Sequence, residues 1–525
     1  MKGSTKPLFC LVLAAILLRG FAESAKAGPP YQATGFKIGE VNNSSAIIWT
    51  RLTLKAERNP ADGPMVKIQY AGGKEAVTSD SLPKANKDGA AKEKADAEQK
   101  KKQEGRQKVK KAEGGSRKVE GIVYPPGVTV ADLRDAVPGA PGEVRVQYRP
   151  ADASQWQATA WQPVDADRDY TRQFTLTALR PNTRYLLRVE SRGPGGGPAG
   201  QALDGRFLTA PLPDEPARVV FTVITGQDFP DKDRPDGFKI YPQMLKLDPS
   251  FFVHTGDIVY YDLLAKDISL ARYHWQRTYG LPTNVEFHRQ VASYFEKDDH
   301  DTWCDDCWPT KNDRGFMYHF TFAQGQQVFL EQVPMGESTY RTVRWGKDLQ
   351  IWLPEGRDFR SPNNAPDGPQ KTIWGEKQKA WFKQTVQQSD ATFRVLIDQT
   401  PVVGPDRTNK ADNLSNKAFQ HEGDEIRQFI AGQKNMVVIC GDRHWQYVSV
   451  DPKTGVREWS CGPASNQHAG GWKQSDFIPE YHRYLNVIGG FLAATVERQN
   501  GKPTLTFRHY GVEGDVKHED RLVAE

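Results

Sequence analysis

At 525 residues the chain is too long for one small core, and a working figure of about 150 residues per domain predicts two to four domains. Hydrophobic residues make up 38% and charged residues 26%, and with 13 Trp, 18 Tyr and 24 Phe there is enough apolar surface for folded cores, while the mean hydropathy of −0.66 argues against a bilayer-embedded protein. The formal net charge is +5, yet residues 84–119 alone hold 13 Lys or Arg against 6 Asp or Glu, so the basic balance belongs to one tract and does not indicate a nucleic-acid surface.

In chain order, Lys2 and Lys6 precede an apolar run from Pro7 to Leu18, and Ala25-Lys26-Ala27 precedes Gly28. This predicts a secretory signal peptide over 1–27, because the run is shorter than the roughly 18 residues that span a bilayer. The mature chain is then exported, periplasmic or extracellular, with no integral membrane span. Cys10 leaves with the signal, and Cys304, Cys307, Cys440 and Cys461 remain. Disulfides, free thiols or half of a metal site are all open for Cys304-Asp-Asp-Cys307, and Cys440 and Cys461 either pair or stay as buried thiols.

Gly35–Arg51 alternates and ends in Ala46-Ile-Ile-Trp-Thr50, the pattern of a strand. Val144–Tyr148, Gln155–Trp161, Arg172–Leu179, Thr183–Glu190 and Gly205–Thr209 continue it as short β-branched or aromatic runs between turn residues. They predict a small all-β sandwich of fibronectin or immunoglobulin type over 28–213. The tract at 84–119 interrupts it, and with only two large apolar residues it reads as a solvated insertion. After Pro211–Pro216 the pattern changes. Val219–Thr225, Phe238–Leu247 and Ser250–Thr255 form a β-α-β unit, and Gly375–Gln388, Phe393–Ile397, Asp424–Ile430 and Asn435–Cys440 alternate helix and strand. An α/β domain over 214–525 is predicted, closed by a hairpin of Gly490–Glu497 and Thr504–Tyr510 around Asn500-Gly501.

Three of these strands end in an acid-bearing tight turn: Thr225-Gly-Gln-Asp228, Thr255-Gly-Asp-Ile-Val-Tyr260 and Cys440-Gly-Asp-Arg-His444. Ligands of open α/β sheets gather outside the carboxyl ends of strands, so residues some two hundred positions apart converge there. A fourth candidate is Lys297-Asp-Asp-His-Asp301, followed by Asp305 and Asp306. So many carboxylates together require cations, and oxygen donors select hard metals. Isolated histidines such as His319 and His468 read as surface or packing residues. No Gly-x-Ser-x-Gly elbow is present, which disfavours a Ser-His-Asp hydrolase.

With these motifs in order, and with Leu179–Tyr185, Gly205–Pro211, Tyr340–Arg360, Thr372–Gln378 and Asp398–Pro401, nearly the whole mature chain resembles the PhoD-like alkaline phosphatases, within the calcineurin-like metallophosphoesterases. The resemblance implies a two-layered central β-sheet flanked by helices, and an exported enzyme that hydrolyses phosphate monoesters or diesters with a metal-activated water. It implies two or more metal ions, calcium with ferric iron. Asp257 is implied as the carboxylate between the metals, Tyr260 as the phenolate on iron, and Asp299, Asp442 and His444 as further ligands. Asp305 stands where the family supplies another oxygen, and His300 is implied as the general acid. Arg357 and Arg344 are candidates for holding phosphate.

The chain departs from the family pattern in two places. Where the family has Ser-Cys-Gln, with the sulfur on iron, this chain has Thr225-Gly226-Gln227-Asp228, which makes Asp228 a candidate replacement. An Asp-Thr-Arg pattern is altered to Glu355-Gly356-Arg357. An exported binding or scaffold protein with a degenerate site is therefore the competing expectation. The expected partner is a small phosphate ester or diester, with no specific nucleic acid, and the expected state is a monomer.

Overall fold

The computed structural model describes residues 28–72, 74–76 and 118–524. The expected signal peptide and nearly all of the basic tract lie outside the described residues. Strands dominate because the apolar runs are short, β-branched and bounded by turn residues. Val219–Ile224 and Phe251–His254 are buried at every position, as strands covered on both faces must be. They pair in parallel with each other, and Phe251–His254 pairs in parallel with Ala292–Phe295.

These three strands lie at the centre of a nine-stranded sheet. On one side it is extended by the hairpin Gly490–Gln499 and Lys502–Gly511 and by Val516–Val523; on the other by Phe36–Gly39, Ala46–Arg51 and Thr171–Leu176. A seven-stranded sheet faces it, with Leu349–Leu353, Phe393–Asp398 and Met436–Cys440 parallel at its centre. Phe221, Val223, Phe251 and Val253 of the first sheet share one core with Ile351, Val395, Ile397, Ile439 and Trp459 of the second. Helices cover the outer faces. Gly375–Gln388 and Gln420–Ala431 bury Phe382, Val386, Ile426 and Ile430 on the seven-stranded sheet, and Ile268–Tyr279 and Phe322–Gln332 pack Trp275 and Phe329 beside the other.

An N-terminal β domain thus precedes an α/β domain with a two-layered sheet. The two are joined by backbone hydrogen bonding, because Phe36–Gly39 pairs in parallel with Ala292–Phe295 across the 213/214 position expected to separate them. One layer of the amino-terminal sandwich is the far end of the nine-stranded sheet. The other is a separate sheet of Glu143–Pro150, Arg184–Arg192, Leu203–Leu208 and two short strands. Val144, Leu187 and Val189 from it meet Ile38, Ile48 and Phe174 in the common core.

Candidate metal centre

The parallel strands of both sheets deliver their carboxyl ends to one cleft, and backbone ties hold the turns in register. Gly226 N donates to Gly256 O at 3.3 Å and Gln227 N to Asp257 O at 2.8 Å. Asp442 N donates to Thr225 Oγ1 at 3.1 Å, which fastens the second sheet's turn to the first sheet's. Asp301 accepts from Ile258 N at 3.0 Å and from Asp298 N at 2.6 Å, so one carboxylate clasps two loops. Gly256 sits at φ +103°, and a Cβ there would lie 2.5 Å from the Cβ of Asp298. Only glycine allows that approach. Asp257 and Asp442 themselves adopt φ +56° and +59°, the left-handed region, which aspartate tolerates better than most residues.

Asp257 is buried, and Tyr260 Oη lies 3.1 Å from its Oδ2. The same phenol oxygen is 3.3 Å from His444 Nε2 and 2.7 Å from His468 Nε2, and His444 Nε2 is 3.6 Å from Asp257 Oδ2. Asp257 belongs to two donor groups at once, one with Asp299 and His300 and one with Asp298 and Asp442, each with its ligand atoms within 4.8 Å of one another. Asp228, Asp231 and His468 form a third group, and Asp299, Asp305 and Asp306 a fourth at the exposed rim.

Burial pushes the Asp257 carboxyl well above the usual range, and pushes Asp298 up to about 6 although Arg357 opposes it. Asp257 Oδ1 and Asp298 Oδ2 are buried without a hydrogen-bond partner. Carboxylate oxygens in that position are costly unless a cation meets them, so the donor set fits bound metal ions. Burial likewise raises Asp299, but His300, Arg357 and Lys410 outweigh it and hold that carboxyl well below the usual range. Burial would lower His300, yet Asp262, Asp299 and Asp257 raise it well above an ordinary histidine. Its Nδ1 is hydrogen-bonded to Asp262, and its ring lies 4.5 Å from that of Tyr260. Burial, with His468 and Arg443 nearby, holds His444 well below the ordinary value, so it is the neutral imidazole that metal ligation needs.

The structure places Asp257, Tyr260, Asp299, His300, Asp442 and His444 together, and Asp228 and Asp305 in neighbouring groups. The two arginines are a correction. Arg357 is buried, with Nη2 2.5 Å from Asp298 Oδ1 and 3.9 Å from Asp299 Oδ1, so its guanidinium serves the carboxylates and is not presented to a substrate. Arg344 is not brought into the cluster: it pairs with Asp390 at 2.8 Å and donates to the carbonyls of Pro213 and Lys347, each at 3.0 Å. Cys304, Cys307, Cys440 and Cys461 are free, buried thiols.

Sequence reasoning passed over Asp298, Asp262 and Asp231, and its reading of His468 as a surface or packing residue is corrected: the ring nitrogens meet Tyr260 Oη and Asp231 Oδ2. Asp298 lay within the acidic run but was not singled out. His468 carries no local signal, standing in an irregular loop far from every motif. Its place follows from the loop's docking on two other turns.

Two facing sheets with acids and imidazoles at their carboxyl ends define a metal-dependent phosphoesterase. The PhoD-like phosphatase family model matches residues 221–512, more than half of the sequence, and the chain belongs to that family. In fold it is similar to the solved structure of PhoD, at 15% identity and TM-score 0.66, over 96% of this chain and 91% of that one. It is also similar to the purple acid phosphatase PPD1 from yellow lupin (Lupinus luteus) seeds, at 11% identity and TM-score 0.54, over 74% of this chain and 71% of that one. No protein of curated function matches the chain.

Proposed function

We propose that the protein hydrolyses phosphate monoesters or diesters of small molecules at this cleft, as an exported enzyme acting as a monomer. The observation that carries the reading is Asp257, buried and shared by two donor groups. Asp257, Tyr260 and His444 would hold one ion, and Asp257, Asp298 and Asp442 a second, with Asp299, Asp228 and Asp305 as outlying oxygen donors. Tyrosine and histidine suit ferric iron, and carboxylates suit calcium. Bound ions supply charge neutralisation at the phosphoryl oxygens and lower the pKa of water.

The protein's own groups do the rest. Asp262 accepts from His300 Nδ1 and fixes the ring, leaving Nε2 as the proton-bearing edge toward the cleft. Asp262, outside the proposed ligand set, favours the protonated ring, so His300 is suited to hand a proton to the departing oxygen. Arg357 neutralises Asp298 from behind and thereby orients it. The apolar run before Gly28 supports export, and among the described residues no helix is long and apolar enough to cross a membrane. The alternative of a degenerate binding protein rests on Gly226, and the assembled cluster favours the enzyme.

The test is nitrophenol release from a monoester and from a diester by protein supplied with calcium and iron at alkaline pH, beside Asp257→Asn. Turnover is expected to fall about a hundredfold or more in the variant, and the ratio of the two rates assigns the substrate class. Absence of turnover with every metal supply would overturn the proposal.

A further inference from the structure

After strand Arg457–Cys461 the chain enters a loop that is fastened to two of the strand-end turns. Thr225 and Pro463 form a parallel bridge, Ala464 N donates to Gly226 O at 3.0 Å, and Gly470 N donates to His444 O at 2.9 Å. His468 lies between these ties, with its own N–H donating to Ser465 O at 3.2 Å. Its ring is held 4.1 Å from that of His444, and its side chain is only 7% exposed.

The ring's two nitrogens have different surroundings. Nδ1 is 3.1 Å from Asp231 Oδ2, and an ionised carboxylate only accepts, so Nδ1 is the donating nitrogen. In the neutral ring Nε2 then carries a lone pair, and it points at Tyr260 Oη from 2.7 Å. Asp257 Oδ2 is a second acceptor, 3.1 Å from the same phenol oxygen. One phenol proton cannot serve both, and Asp257 Oδ1 has no hydrogen-bond partner at all. A cation in place of that proton satisfies every lone pair together. Donor atoms bound about 2 Å from one transition ion lie about 3 Å apart, and Tyr260 Oη stands 3.1, 3.3 and 2.7 Å from Asp257 Oδ2, His444 Nε2 and His468 Nε2, with His444 Nε2 3.6 Å from Asp257 Oδ2.

Gly226 completes the case. A Cβ at this position would lie 3.1 Å from His444 Nε2 and 3.2 Å from His468 Cδ2, tighter than ordinary contact. A side chain at 226 and the His468 ring therefore compete for one space.

We propose that His468 Nε2 is a ligand of the transition-metal ion held by Asp257, Tyr260 and His444, that it occupies the position a side chain at 226 would otherwise take, and that Asp231 is its positioning residue. The proposal rests on the metallophosphoesterase reading above and adds a ligand to it. The site takes a first-row transition ion through two imidazoles, a phenolate and a carboxylate, where calcium would find too few oxygens.

The experiment loads the full chain with iron, removes excess by gel filtration, and measures retained metal per chain and the visible phenolate-to-iron absorption band. Far-UV circular dichroism is recorded in parallel. Wild type is expected to retain the ion and show the band. His468→Ala is expected to weaken retention about 10- to 100-fold and shift the band, with added imidazole restoring both, and Asp231→Asn to weaken retention less than His468→Ala does. His468→Phe, which keeps the ring's bulk without a donor atom, is expected to match His468→Ala without rescue. Wild-type retention and band in natively folded His468→Ala or His468→Phe would overturn the proposal. So would a native fold whose lost metal imidazole does not restore. A wild-type chain that takes up no transition metal would overturn the underlying reading itself.

Discussion

His300 and Arg357 show how single residues are assigned by what surrounds them. His300 is hydrogen-bonded through Nδ1 to Asp262, so replacing it should matter in proportion to how badly the leaving group needs a proton. His300→Ala is expected to lower kcat about 10²- to 10⁴-fold for an alkyl phosphate and far less for a nitrophenyl ester, whose leaving group departs as a stable anion. Equal losses on both substrates in steady-state assays would remove the general-acid role. Arg357 is buried against Asp298, and deleting one partner of such a pair leaves an uncompensated charge. Arg357→Met is expected to cost about 3–5 kcal/mol of stability by urea titration, since it strands Asp298. A change confined to KM, with unaltered stability, would return Arg357 to the substrate.

At the scale of elements, the strand-end turns carry the site. Gly256→Ala would drive a methyl to 2.5 Å from Asp298 Cβ, and it would also force alanine into φ +103°. The expected result is separation of the 255–257 and 298–301 turns, with metal retention and turnover both down by about tenfold or more while the sheet strands keep their circular dichroism. Normal metal retention would show that the two turns need not touch. These turns were legible beforehand because a β-branched run followed by Gly-Asp is a local pattern, and helix Gly375–Gln388 was legible from Trp381, Phe382 and Val386 at helical spacing. Ile268–Tyr279 was not. It buries eight of its twelve residues, including His274 and Arg277, so no polar stripe marks its period. Its N-cap, Asp267 accepting from Leu270 N at 2.8 Å, is ordinary capping chemistry that an acidic loop hides.

For the whole molecule, buried histidines outside the metal cluster contribute to how stability responds to acid. Burial lowers His509 to about 3 and His482 to about 4, against about 6.5 when unfolded. Below pH 6.5 the unfolded chain binds protons that the native chain refuses, so stability is full above that pH and falls as pH drops toward the folded values. The slope is about 1.4 kcal/mol per pH unit for each such group. His509→Gln keeps a donor near Ser460 O, which His509 Nε2 meets at 2.9 Å, and should reduce the stability lost between pH 7 and pH 5 by about 2 kcal/mol. Urea midpoints at the two pH values test this, and an unchanged difference would mean that His509 titrates normally in the fold.

Strands Val219–Ile224, Phe251–His254, Phe393–Asp398 and Met436–Cys440 and the acid-bearing turns that follow three of them were legible in the sequence, because glycine turns and apolar runs are local and each is written within about ten residues. Tertiary structure alone joined Phe36–Gly39 to Ala292–Phe295, since which strand neighbours which is decided by the two-sided core and leaves no mark on either segment. It alone turned Arg357 inward to Asp298 and Arg344 toward Asp390, because an arginine's partner is chosen by packing and not by its flanking residues. His468 reaches Tyr260 for the same reason: its loop is pinned to the turns of Gly226 and His444, more than two hundred residues and about two dozen residues away along the chain.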